Sequence, residues 1–268
     1  MAITNKNKTT TSLVFKIFIT MITIVTIIII LLVVFLIYGY NSGSCKINKK
    51  NQFICTKKFC LYKDFYVNIN EYIKNKINEL LSDKTIQKRV SIQIYPVNIF
   101  NCALPNKSGT TISTQNINTY CPELINFYQN DLCKKVSKEI GLKLFPTELN
   151  MPTSCAILIY ESENDWINWH YDYNYYNGRF FTVLIPITSD LTCTKFEFKD
   201  DNNNITSIDL TTNALCFEGN YLYHRASKLC KNQKRVILSC QYVTDNSMSF
   251  INKCRIKLKD FAYTGKIF

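Results

Sequence analysis

"WINWHYDYNYYNGRFFTVLIPI", Trp166 to Ile187, is the stretch on which the reading of this chain turns. It carries one of only two histidines in the protein, His170, with Asp172 two positions on and aromatic residues crowded round both. Its second half is a β-branched and aromatic run of the kind that forms a strand. Along a strand successive side chains alternate between faces, so His170 and Asp172 share one face and Tyr171 takes the other. The other histidine, His224, lies in "YLYHRASKL", just after the apolar run "NALCFEG" and a turn. Two imidazoles and a carboxylate on one side of an ion leave its opposite positions open, the arrangement of non-haem Fe(II) sites that activate oxygen. An HxD pair alone arises often by chance, and a lone histidine in a tyrosine-rich strand is commonly a hydrogen-bonded core or surface residue. Order and context give this one its weight.

Beyond Pro152 the texture is uniform. "SCAILIY", "FFTVLIPI", "TKFEFK", "ITSIDL", "NALCFEG" and "KRVILSCQYV" are short runs separated by Asn, Asp and Gly, the pattern of an antiparallel sandwich or barrel. Upstream the periodicity is helical. Ile69, Ile73, Ile77 and Leu80 make one face of a helix over about Ile69–Leu81, and Leu124, Phe127 or Tyr128, Leu132, Val136 and Ile140 make one stripe of a second, with Pro122 in its first turn. Between them "VSIQIYPV", Val90 to Val97, alternates like a strand, and Asn101 to Asn118 is polar and loop-like. Helices first and strands later describe an α+β chain with its β part at the C-terminal end.

From Leu13 to Tyr38 the chain is apolar save for Lys16. At about 1.5 Å per residue this exceeds the roughly 30 Å of hydrocarbon that a helix must cross. A retained transmembrane anchor over 13–38 is expected, with a polar tail over 1–12 and a stalk over 39–63. A cleaved signal peptide has a shorter apolar core. The lysines flanking the run are balanced, so they set no orientation. All 12 cysteines follow it, which points to a disulfide-bonded domain on the luminal or exoplasmic side, in the endoplasmic reticulum, the secretory pathway or a virion membrane. "NKS" at Asn106 and "NIT" at Asn204 would be glycan acceptors there. The net charge of +12 comes from scattered lysines without an arginine-rich helix, which reads as solvated surface and gives no nucleic-acid partner.

The ordered set of motifs resembles the Fe(II)- and 2-oxoglutarate-dependent dioxygenases, in particular their prolyl 4-hydroxylase-like branch. Tyr160 stands ten residues before His170, "RFFT" supplies Arg179 and Thr182, "TKF" supplies Thr194 and Phe196, and "NALCFEG" precedes His224. The family's Gly-Gly before Thr-x-Phe is replaced here by Leu191, Thr192 and Cys193. The likeness implies a double-stranded β-helix, or jelly roll, over about 152–245 within a domain of 64–268, with supporting N-terminal helices and one transmembrane helix before them. It implies Fe(II) held by His170, Asp172 and His224, and 2-oxoglutarate held by Tyr160 and a basic residue, Lys234 or Arg235. Arg235 is preferred because its planar group meets a carboxylate with two hydrogen bonds. The implied activity is hydroxylation of a protein side chain, or of a lipid or small molecule, coupled to decarboxylation of 2-oxoglutarate to succinate. Trp166, Trp169, Tyr173, Tyr175 and Tyr176 are candidates for a substrate groove or for packing. The alternative is a membrane-anchored, disulfide-rich β-domain for attachment or structure, with its histidines incidental.

Overall fold

The computed structural model describes residues 15–32, 63–92, 106–188, 192–199, 203–254 and 256. The chain divides into two units, Met1–Ser42 and Gly43–Phe268. The tail over 1–12, most of the stalk, and Cys45, Cys55, Cys60 and Cys102 lie outside the described residues. In the first unit a helix, α1, runs over Phe15–Leu32, 18 residues long and apolar enough to cross a membrane by length and composition. Its three threonines, Thr20, Thr23 and Thr26, each donate to the carbonyl four residues back at 2.9 Å. Hydroxyls satisfied within their own helix need no water.

The second unit is an antiparallel sheet backed by helices. Its strands are β1 (Lys63–Phe65), β2 (Lys88–Ile92), β3 (Lys107–Ile112), β4 (Phe145–Pro146), β5 (Cys155–Tyr160) and β6 (Trp166–His170). The rest are β7 (Phe180–Pro186), β8 (Phe196–Lys199), β9 (Ile205–Ile208), β10 (Ala214–Phe217), β11 (Tyr223–Ala226) and β12 (Arg235–Val243). They lie in the order β1-β10-β7-β12-β5-β3-β6-β11-β8-β9, with β2 beside β3 and β4 beside β12. The sheet turns from one half to the other at β3. Residues Thr110–Ile112 of that strand pair with β5, while Lys107 and Ser108 pair with β6. This curled antiparallel arrangement fits a jelly-roll core.

Helix α2 (Glu71–Ser82) starts at Asn70, whose side chain accepts from Ile73 N, and buries Ile73, Ile77 and Leu80. The second predicted helix is present as α4 (Pro122–Phe127), a wider π turn over Tyr128–Leu132, and α5 (Cys133–Ile140). At the π turn the Tyr242 hydroxyl donates to the Tyr128 carbonyl at 2.8 Å, and an inserted hydroxyl is one cause of such widening. These helices cover the outer face of β5, β7 and β12, packing on Ile157, Ile159, Val183, Ile185, Leu238 and Tyr242. The inner face carries a second cluster, with Phe196, Phe217, Leu215 and Ile237, packed with Leu158 and Leu184. Buried on both faces, these strands read as continuous apolar runs rather than alternating ones.

Residues 101–118, expected to be a loop, contain β3 and the helix α3 (Thr114–Tyr120). "KSGTTI" has little apolar content, but hydrogen bonding on both edges holds it, and Ser113 caps α3 by accepting from Asn116 N. Asn106 is buried, its carbonyl accepting from Asn168 N, whereas Asn204 is exposed. Of the eight described cysteines, Cys193 and Cys230 are bonded to each other. The thiols of Cys121, Cys133, Cys155, Cys240 and Cys254 are free. All of these but Cys254 are buried, where a thiol packs as a small apolar group.

Candidate metal centre and cosubstrate pocket

His170 closes β6 and His224 lies opposite it on β11 as its Cα partner, with ring centroids 4.3 Å apart. Between Ile167 and His170 the chain advances three residues against two on β11, from Ala226 to His224. Such an extra residue is a bulge, and bulges re-aim side chains beside functional sites. Ile167 and His170 thereby both line the interior, although simple alternation would part them. Asp172 is not on the strand, as alternation assumed, but just past its end. There its N–H donates to Gly219 O at 2.8 Å and its Oδ2 accepts from Thr182 Oγ1 at 2.6 Å.

Each imidazole is locked by its own strand. His170 Nδ1 lies 2.7 Å from Asn168 O, and His224 Nδ1 lies 2.8 Å from Leu222 O. A carbonyl only accepts, so each Nδ1 carries a hydrogen and each Nε2 is the ring atom left to face a metal. The two Nε2 atoms stand 3.6 and 3.8 Å from Asp172 Oδ1, and all three donor atoms lie within 4.8 Å of one another. Ligands about 2.0–2.2 Å from a common ion would stand roughly 3 Å apart, so the two carboxylate–imidazole spacings need to close by under an ångström to share one ion. Burial and the adjacent His170 push the His224 pKa down to about 4, against the opposing pull of Asp172, leaving a neutral imidazole. Burial alone would raise the Asp172 carboxyl, but His224, His170 and Thr182 hold it below the ordinary carboxylate range. One carboxylate and two imidazole nitrogens suit a divalent transition metal.

Around them is a cavity of about 170 Å³, lined among others by Tyr160, Leu184, Phe196, Phe217, Arg235 and Ile237. Arg235 begins β12, pairs across to Tyr160 on β5, and is 4% exposed. Its Nη1 is buried with no hydrogen-bond partner. Burial lowers its pKa and raises that of Tyr160. An orphaned guanidinium nitrogen is costly and marks a place where an anion is missing. Lys234 instead points outward, half-exposed and 3.7 Å from Glu161 Oε2. A carboxylate reaching this pocket would therefore meet Arg235.

Sequence reasoning missed several contacts. Thr182 bears directly on Asp172. Gly219 is needed because a Cβ there would sit 1.9 Å from Asp172 Oδ2. Glu218, fully buried, is gripped by Arg179 through two hydrogen bonds of 2.7 and 2.8 Å, which fixes the turn carrying Gly219. The signal for Gly219 was faint: one of seven glycines, in a turn before a histidine. Trp166 and Trp169 do not line the cavity. Lys228 lies over Trp166, while Lys199 and Arg225 lie over Trp169. Arg225 also pairs with Glu197 on the neighbouring strand. Tyr173, Tyr175 and Tyr176 line a smaller cavity described below.

The sequence matches no family model and no curated protein. Solved structures match the fold. AviO1 from Streptomyces viridochromogenes Tue57 superposes with a TM-score of 0.52 at 9% identity, over 75% of this chain and 97% of that one. An oxidoreductase of the 2OG-Fe(II) oxygenase family from Burkholderia pseudomallei gives 0.53 at 11% identity, over 70% and 86%. The chain has the fold of the Fe(II)- and 2-oxoglutarate-dependent oxygenases.

Proposed function

We propose that the protein is a membrane-anchored Fe(II)- and 2-oxoglutarate-dependent dioxygenase that hydroxylates a substrate side chain, in the manner of prolyl hydroxylases. His170, Asp172 and His224 would hold the iron, and Arg235 with Tyr160 would hold the far carboxylate of 2-oxoglutarate. The observation that carries this reading is their conjunction. Three converging metal donors share one cavity with a buried guanidinium that lacks a partner. Neither a structural sheet nor an attachment domain has a use for such a cation.

When bound, iron and 2-oxoglutarate supply oxygen activation and hydroxylation coupled to decarboxylation, giving succinate. The chain's own part is orientation and exclusion. Thr182 and the Gly219 carbonyl fix Asp172, and the Asn168 and Leu222 carbonyls fix the two rings. The guanidinium of Arg235 meets a carboxylate with paired hydrogen bonds in a low-dielectric wall, where such a bond is strong. Phe196 and Phe217 flank His224 with ring centroids at 5.5 and 4.8 Å, keeping water from that side.

The test is direct. The purified protein should contain iron and release succinate from 2-oxoglutarate, and both should vanish in His170→Ala and His224→Ala. Iron-free, inactive wild-type protein after anaerobic loading with Fe(II) would refute the assignment. For location, α1 supports a membrane anchor, and the Cys193–Cys230 bond supports an exoplasmic catalytic domain. The free thiols among the described residues pull against that side.

A further inference from the structure

A second cavity, of about 40 Å³, opens beyond the metal donors. It is lined by Met151, Tyr175, Tyr176, Phe180 and Ile256, and shares Thr153, Asp172, Tyr173 and Gln241 with the larger one. Those four residues form the junction between the two spaces. On β12, Arg235, Ile237, Ser239 and Gln241 follow one another along the inner face, so Gln241 lies at the end of the pocket away from the cosubstrate cation. The side chains of Gln241 and Thr153 have no hydrogen-bond partner among the described residues. Gln241 bonds only through its main chain, to Ser154, Tyr128 and Thr147. The Tyr176 hydroxyl, by contrast, is occupied, accepting from Glu148 N and lying 3.7 Å from Met151 Sδ.

Charge divides the two spaces. Lys107, Arg225 and Arg235 line only the larger cavity, and the annex holds no ionisable acid or base other than Asp172 and the tyrosines. Asp172 is committed to the imidazoles and Thr182. An ammonium or carboxylate seated in the annex would lose its water and meet no charged group that is not already committed to the metal donors, which is unfavourable. A small uncharged group faces no such cost. One water needs roughly 10–15 Å³ in this measure, so the annex accepts a group of roughly three water-sized parts.

Resting on the dioxygenase reading, we infer that the annex is the substrate subsite. It takes a small neutral side chain from a peptide whose backbone amide is bound by Gln241 and Thr153. A carboxamide both donates and accepts, as a peptide group does, so Gln241 is matched to a backbone amide rather than to a charged terminus. Gln241 and Thr153 are thus specificity residues set beside Asp172, and tyrosine rings close round the group to be oxidised.

Calorimetric titration of the full chain, solubilised and loaded with Fe(II), tests this with N-acetyl-Gly-Xaa-Gly-amide peptides in which Xaa is Pro, Val, Lys or Glu. Pro or Val peptides should bind at least tenfold tighter than Lys or Glu peptides. Gln241→Leu should weaken the neutral peptides at least tenfold, while Gln241→Asn should recover part of the loss. Equal binding of charged and neutral peptides, no binding of any peptide, or unchanged affinity in Gln241→Leu would overturn the inference. Succinate release is followed in parallel. Selective peptide binding without succinate would sink the dioxygenase reading and keep the subsite, whereas succinate without selectivity would do the reverse.

Discussion

Asp172 is clasped by a hydroxyl, a carbonyl and two imidazoles, and on its remaining flank stands a glycine with nothing to give. A methyl group at position 219 would fall inside the carboxylate. Gly219→Ala should therefore displace Asp172 while leaving the sheet intact, and iron affinity, read by titration against a competing chelator, should fall about 10–100-fold or more. An affinity equal to wild type would show that the turn yields freely. His224 carries a pH signature. His224 is neutral in the fold down to a pKa of about 4, whereas an unfolded histidine titrates near 6.5. Between those values the unfolded chain takes up a proton that the folded chain does not. Stability of the metal-free protein should thus fall on acidification through that window, by up to about 1.4 kcal/mol per pH unit. Asp172, held below its ordinary range, adds its own loss only at lower pH. Urea midpoints measured at about pH 7 and about pH 5 should differ in wild type and converge in His224→Asn.

At the scale of elements, the disulfide ties the segment before β8 to the segment before β12, closing a loop with a sequence separation of 37. By the chain-entropy argument a closure of that length is worth about 3–4 kcal/mol. Cys193→Ser should lower the unfolding free energy by about 2–4 kcal/mol, and a reductant should do the same to wild type but not to the variant. How much of these elements could be read beforehand depended on what carried the information. Helix α2 and the α4–α5 helix wrote their burial into apolar spacing, Ile73 to Leu80 and Leu124 to Ile140, and the strands after Pro152 wrote theirs into apolar runs. Strand β3 did not, because "KSGTTI" is stabilised by hydrogen bonds along both edges, which leave no trace in composition. Arg235 and Lys234 could not be told apart by spacing, since a strand start fixes alternation only once its register is known. The bulge that turns His170 inward was illegible for the same reason.

For the whole molecule, the sidedness of the β-domain is the open physical question with the simplest readout. Two acceptor tripeptides lie in the β-domain, and of their asparagines Asn106 is buried and Asn204 exposed. Synthesis into microsomes should then give a single mobility shift, removed by Asn204→Gln and kept in Asn106→Gln, if the domain is exported. The absence of any shift in wild type would put it on the opposite side. The cysteine count argued for export as a total, yet most of the described thiols fill core space, and a total does not distinguish packing from bonding. The fold and the proposed metal centre are also separable. The bulge in β6 contributes one residue, and that residue sets which way an imidazole faces. A chain shortened by a single codon there could restore regular pairing, keep its hydrophobic clusters and rotate His170 out toward solvent. Loss of chemistry without loss of shape lies one deletion away, so an inert binding descendant of this scaffold is the nearest neighbour that mutation can reach.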